Sequence, residues 1–199
     1  MPADTSRASA RALFSSPTLD DPLEAAAGLR AGGLLAYPTE AVWGLGCDPD
    51  SAHSLEALLK LKSRDPAKGL ILVAAEIAQF APWLEGLSPA LRRRLAERWP
   101  GPVSWLVPDN GRAHPLVRGE HQSVALRVSD HPPVVALCRA FGAPLVSSSA
   151  NVAGQAPCMS EVEVRKAFGE CVGVLKGPLG GADRPSEIRD LLTDRVLRI

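Results

Sequence analysis

Two cations stand two positions apart in Leu61-Lys62-Ser63-Arg64, directly after a run with helical periodicity and directly before Asp65-Pro66. In extended backbone, residues two apart face the same way, so Lys62 and Arg64 would address one site. Their chemistries differ usefully. Arginine offers a planar fork for phosphate oxygens, and lysine a compact charge that can follow a changing group. Five lysines accompany seventeen arginines, yet Lys60, Lys62 and Lys68 crowd into this one stretch. The same pattern also suits a solvated helix end whose cations complement the helix dipole.

A second candidate is Ser147-Ser148-Ser149-Ala150-Asn151, directly after the apolar Pro144 to Val146. Strand alternation puts Ser147, Ser149 and Asn151 on one face at the end of a buried strand, where open α/β sheets tend to bind ligands. Hydroxyls and an amide there can grip phosphate or carboxylate without adding charge; a helix N-cap cluster would look the same. Tyr37-Pro38-Thr39-Glu40 sits at another strand end, followed by Gly44-Leu45-Gly46. That is neither the phosphate loop GxxxxGK[ST] nor a full GxGxxG, and it reads as an ordinary turn. Arg92, Arg93, Arg94 and Arg98 form the densest basic patch, interrupted by Glu97. It fits either a solvated helix or an RNA or partner contact.

These residues need elements to hold them. Asp20-Asp21-Pro22 fits a helix start, with the helix running from Leu23 to Arg30 and stopping at Gly32-Gly33. Leu34 to Tyr37 reads as a buried strand ended by Pro38, with a loop through Gly44, Gly46 and Pro49. Helices are predicted over Ser51 to Leu61, Ser88 to Arg98, His131 to Phe141 and Ser160 to Phe168. Strands are predicted over Leu70 to Val73, Val103 to Val107, Val124 to Val128, Leu145 to Ser148 and Val172 to Lys176. Glu187 to Leu192 and Arg195 to Ile199 read as a terminal hairpin. Strands alternating with helices give an α/β or α+β layered domain, and the hairpin makes the sheet mixed.

The 199 residues suit one well-buried domain. We place a tail at residues 1–18 and the domain at 19–199. Lys plus Arg and Asp plus Glu both number 22, which argues against nucleic-acid binding through bulk positive charge. Cys47, Cys138, Cys158 and Cys171 lie far apart and form no CxxC, and the four histidines form no HExxH. They read as thiols of a reducing compartment. No apolar run approaches the ~20 residues of a membrane helix. A soluble, cytoplasmic protein is the expectation.

Six ordered segments carry a family resemblance: AYPTEAVWGLGCDPDS (36–51), LKSR…KGLILVAA (61–75), RWPGPVSWLVP (98–108), SVALRVSDHP (123–132), PLVSSSANVAG (144–154) and PSEIRD (185–190). Together they resemble the YrdC/TsaC family of threonylcarbamoyl-AMP synthases, in its short bacterial form. The resemblance implies a twisted mixed sheet flanked by helices, with a large cationic cleft. It implies that L-threonine, bicarbonate and ATP are converted to threonylcarbamoyl-adenylate and pyrophosphate. That product would feed N6-threonylcarbamoyladenosine (t6A) modification of tRNA next to the anticodon, through a transferase complex as functional partner. The family's KxR falls on Lys62 and Arg64, and its SxN on Ser149 and Asn151. By the same matching, Thr39, Lys62, Arg127, Ser147 and Ser186 would face threonine and bicarbonate. Arg64, Ser123, Ser149, Asn151 and Arg198 would face the nucleotide. Magnesium would arrive with the triphosphate, without a dedicated protein ligand.

Two departures stand out. Asp65 intervenes where many relatives have Pro directly after the KxR arginine, and longer relatives continue past the final strand into a domain that helps cover the site. A rival reading is a non-catalytic double-stranded RNA-binding module for ribosome or tRNA maturation, resting on the arginine patch. A third is an enzyme that adenylates a carbamoyl group taken from carbamoyl phosphate; such proteins usually add zinc-finger and acylphosphatase domains, neither of which is visible here.

Overall fold

The computed structural model describes residues 13–14 and 18–198. Most of the expected tail lies outside them. Phe14, however, is buried in a hydrophobic core and Thr18 opens the first strand, so these two positions belong with the domain rather than with a tail.

Strand β1 (Thr18–Leu19) leads into helix α1 (Pro22–Arg30). Asp21 caps that helix, its carboxylate accepting from the Leu23 amide at 2.9 Å. Pro22 occupies the first turn, where its missing N–H costs nothing. In β2 (Leu35–Pro38) alternate side chains enter opposite cores: Leu35 and Tyr37 one, Ala36 the other.

The expected loop through Gly44 and Gly46 is instead strand β3 (Trp43–Gly46), antiparallel to β2 in the register Leu35↔Gly46 through Pro38↔Trp43. Close approach of neighbours explains these glycines. A Cβ at Gly46 would meet the Val146 carbonyl oxygen at 2.6 Å and the Tyr37 ring at 2.8 Å. Strand glycines often mark such contacts.

The chain continues through α2 (Ala52–Lys62), a 3-10 turn at Pro66–Lys68, β4 (Ile71–Ala74), a second 3-10 segment at Ile77–Trp83 and α3 (Pro89–Ala96). Then come β5 (Val103–Pro108), α4 (Pro115–Arg118), β6 (Ser123–Val128), α5 (Pro132–Phe141), β7 (Leu145–Ser149), α6 (Glu161–Phe168), β8 (Gly173–Leu175), β9 (Glu187–Asp190) and β10 (Val196–Arg198). The terminal hairpin forms as predicted, β10 running antiparallel to β9.

The strands make one mixed sheet in the order β1-β8-β2-β3-β7-β4-β6-β5-β9-β10. Helices cover both faces, as the sequence implied. Residues of α1 and α5 pack with Leu35, Tyr37, Val73 and Leu145 on one face. Residues of α2, α3, α4 and α6, with Phe80 and Trp83, fill the other.

Registered partners on neighbouring strands share a face. Val73 lies opposite Arg127, and Ile71 opposite Ser147. Arg127, Ile71 and Ser147 therefore lie on the α1/α5 side of the sheet.

Candidate functional site

A cavity of about 340 Å³ opens on that side, a size suited to a small ligand. Its wall includes Ile71, Val73 and Val134 as apolar floor, and Thr39, Glu40, Arg64, Arg127, Arg184 and Ser186 as polar groups. Ser147, Ser148 and Ser149 line it as well. Three arginines against one carboxylate make the hollow positive on balance.

Six of the residues singled out from the sequence thus meet in one place: Thr39, Arg64, Arg127, Ser147, Ser149 and Ser186. Each is held by its own local structure. Thr39 sits in the β2–β3 turn, its hydroxyl donating to the Val42 carbonyl at 2.6 Å. Arg64 follows α2, and its Nε and Nη2 donate to the Gly69 carbonyl at 3.1 and 2.9 Å. Arg127 projects from β6, donating to the Gly101 carbonyl at 3.1 Å and ion-pairing with Glu40 at 2.5 Å. The Ser186 hydroxyl, buried, shares a hydrogen bond of 2.9 Å with Ser104.

The 61–64 segment is not extended. Lys62 is the last residue of α2, and Ser63 caps it in the left-handed region at φ 48°. The Arg64 amide returns to the Leu59 carbonyl at 2.9 Å, which closes the helix and turns the chain. Lys62 and Arg64 consequently diverge. Arg64 reaches the cavity wall, whereas Lys62 is 2% exposed and lies behind it.

The Lys62 ammonium donates to the carbonyls of Ser149 and Asn151, the latter at 2.8 Å. The Ala153 amide also donates to the Lys62 carbonyl at 2.7 Å. Together these bonds bind the end of α2 to the segment that follows β7. Burial, and secondarily the Arg64 charge, push the Lys62 pKa down to about 8.

Asn151 is not on the cavity wall, but its side-chain oxygen accepts from the Ser149 hydroxyl at 2.6 Å and so fixes that serine. Ser123 begins β6 and also lies off the wall. The backbone of Arg198 stands in β10 opposite Ile188, two residues beyond Ser186.

Glu40, Ser148 and Arg184 line the cavity without having been singled out. Glu40 was adjacent to Thr39 in the motif, but its ion pair with Arg127 spans 87 positions that no local pattern connects. Arg184 belongs to the segment between β8 and β9. The Gly180 and Ala182 amides there donate to the Thr39 and Glu40 carbonyls at 3.1 and 2.9 Å. The His131 ring, bonded to the Pro178 carbonyl at 3.0 Å, anchors the same segment.

Cys47, Cys138 and Cys158 are buried, and burial raises each thiol's pKa, Cys138 to about 12, so they are poor nucleophiles. Among the described residues no group of three or more His, Cys, Asp or Glu side chains could hold a metal ion, and no helix is long and apolar enough to cross a membrane.

The chain that forms this positive, hydroxyl-rich hollow is similar to known proteins in sequence and in fold. The Sua5/YciO/YrdC family model, described as "Telomere recombination", matches residues 27–199. A threonylcarbamoyl-AMP synthase from Chromohalobacter salexigens is 64% identical over 181 residues, covering 91% of this chain and 98% of that protein. One from Saccharophagus degradans is 51% identical over 171 residues, 85% and 90% of the two chains. In structure, P. abyssi Sua5 complexed with L-threonine superposes with a TM-score of 0.82 at 22% identity. The match covers 90% of this chain, which spans only 55% of that longer one. E. coli YciO gives 0.77 at 19% identity, covering 91% and 92%. At such identities the structural likeness is one of fold. The family model over nearly the whole domain and the close relatives at matching length carry the assignment: this chain belongs to the Sua5/YciO/YrdC family.

Proposed function

We propose that this protein is a threonylcarbamoyl-AMP synthase, converting L-threonine, bicarbonate and ATP to threonylcarbamoyl-adenylate and pyrophosphate. The observation that carries the reading is the meeting of Arg64 and Ser149 with Thr39, Arg127, Ser147 and Ser186 around one cavity. The close relatives bearing that activity's name support it.

Threonine's amine condenses with bicarbonate, releasing water and leaving a carbamate. A carbamate oxygen then bonds to the α-phosphorus of ATP as the bond to the pyrophosphate leaving group breaks. Neither step needs a covalent enzyme intermediate. The protein's tasks are to hold the reactants in contact and to balance negative charge.

Arg127, fixed from two sides, takes the threonine carboxylate, with Thr39, Ser147 and Ser186 beside it. Arg64, preorganised by the Gly69 carbonyl, faces phosphate oxygens, and Ser149 orients them. Lys62 contributes indirectly: it holds the 149–151 backbone in place and sets a positive charge behind Ser149. Ser123, Asn151 and Arg198 belong to the nucleotide side of this reading, Asn151 acting through Ser149. Magnesium, a hard cation that keeps much of its water, travels with the triphosphate and draws its ligands from phosphate oxygens.

The product then serves t6A formation next to the tRNA anticodon, handed in the cytoplasm to a transferase complex. The RNA-module alternative loses its main support in α3. Arg92 donates to the Leu84 and Leu87 carbonyls, and Arg94 to those of Leu191 and Leu192, so half of the patch is spent on the fold.

Pyrophosphate release from ATP tests the reading. It should require both threonine and bicarbonate, and Arg64→Ala should lower it about 10²-fold, roughly 2.7 kcal/mol of transition-state stabilisation. Release that is indifferent to threonine in the unaltered protein would end the proposal.

A further inference from the structure

An α-amino acid carries an ammonium and a carboxylate on one carbon. A site that recognises it through both ends needs an anion and a cation set side by side. The cavity wall contains one such pair, Glu40 from the β2–β3 turn and Arg127 from β6. Their side chains are only 16% and 12% exposed, so their charges are poorly screened.

One Glu40 oxygen, Oε1, is occupied twice. It meets the Arg127 guanidinium at 2.5 Å and accepts from the Ser129 hydroxyl at 2.5 Å. Ser129 is itself fixed, accepting the His131 amide at 3.1 Å. The backbone around Glu40 is held too, by the Ala182 amide on its carbonyl. The second carboxylate oxygen, Oε2, has no partner among the described residues, although the side chain belongs to the cavity wall. A carboxylate anchored by one oxygen and open at the other is a rigid acceptor for a cation entering the hollow.

We propose that Glu40 is the binding residue for the α-ammonium group of the amino-acid substrate, its Oε2 accepting that group while Arg127 takes the substrate carboxylate. The proposal rests on the threonine-using function above and adds a residue and a selection rule to it. The ion pair makes the site selective for zwitterions over simple carboxylates of the same shape.

The first test needs no variant. Calorimetric titration of the intact protein with L-threonine, and with the deaminated analogue 3-hydroxybutanoate, should show the analogue binding at least about tenfold more weakly, as expected for loss of one charge-assisted hydrogen bond. Equal affinities would overturn the proposal.

The second test is Glu40→Gln, which retains an oxygen for Ser129 and Arg127 while removing the charge. It should raise KM for threonine about tenfold or more, leave KM for ATP unchanged, and leave binding of the deaminated analogue no weaker, since the repelling carboxylate is gone. A variant that weakens threonine and the analogue equally would make Glu40 a support for Arg127 alone and overturn the ammonium role. Absence of threonine binding to the unaltered protein would instead count against the function itself.

Discussion

Lys62 shows how a residue's role can change once its surroundings are known. Its position beside Arg64 suggested a second cation addressing the same site. The structure buries it, and its ammonium satisfies two carbonyls of the 149–151 segment. Lys62→Ala should therefore lower stability as well as activity, because it strands two acceptors and leaves a void.

With the folded pKa pushed down to about 8 from the usual lysine value, the group is mostly charged at neutral pH. It loses that charge as pH rises through 8. Charging it opposes folding, a cost present in full below about pH 8 and relieved between there and the unfolded lysine range. Turnover that depends on the charge runs the other way and falls as pH rises through about 8. Lys62→Arg keeps its charge, so the ratio of its rate to that of the unaltered enzyme should climb between pH 7 and 9. A ratio flat over that range would remove the Lys62 charge from the rate.

At the scale of elements, the cap-and-period signals were readable because they act locally. Asp21-Pro22 and Ser160 mark helix starts by chemistry confined to one turn. The β9–β10 hairpin was likewise written in adjacent runs. Strand β3 was not, because its glycines answer to Val146 and Tyr37, partners supplied by other strands. The divergence of Lys62 from Arg64 was hidden for a related reason, since Ser63 takes up a left-handed conformation that few non-glycine residues adopt.

The cavity residues themselves were recognised largely through the ordered motifs. What escaped were Glu40, Ser148 and Arg184, and the Glu40 ion pair depends on the order in which β3, β7, β4 and β6 are laid side by side. The close approach at β3 makes a graded prediction. Gly46→Ala should cost about 1–3 kcal/mol, as overpacking against backbone does. Gly44→Ala should cost less, because its new methyl group would press on the Thr39 side chain at 3.0 Å and meet the Tyr37 ring only at 3.5 Å, an ordinary contact. Thermal unfolding of the two variants compares them directly, and equal midpoints would contradict the packing argument.

Across the molecule as a whole, the first described residues are tied into the core. The Phe14 ring fills a slot where Cβ atoms on Gly28, Gly33 and Gly173 would come within 2.2, 2.6 and 2.9 Å of it. Three separate parts of the chain thus give up side chains to seat one aromatic. Phe14→Ala should lower stability by about 3–5 kcal/mol, read as a lower urea midpoint at an unchanged slope; an unmoved midpoint would show that the ring is not part of the cooperative fold.

The sheet order has a mechanical corollary. Its two margins are β1 and β10, the first and last strands of the described chain, while β3, β7, β4 and β6 lie at its middle. Tension applied through Thr18 and Arg198 would therefore strip the borders first, loosening the Ser186 wall beside β9 before it reached Arg127 and Ser147 on the central strands.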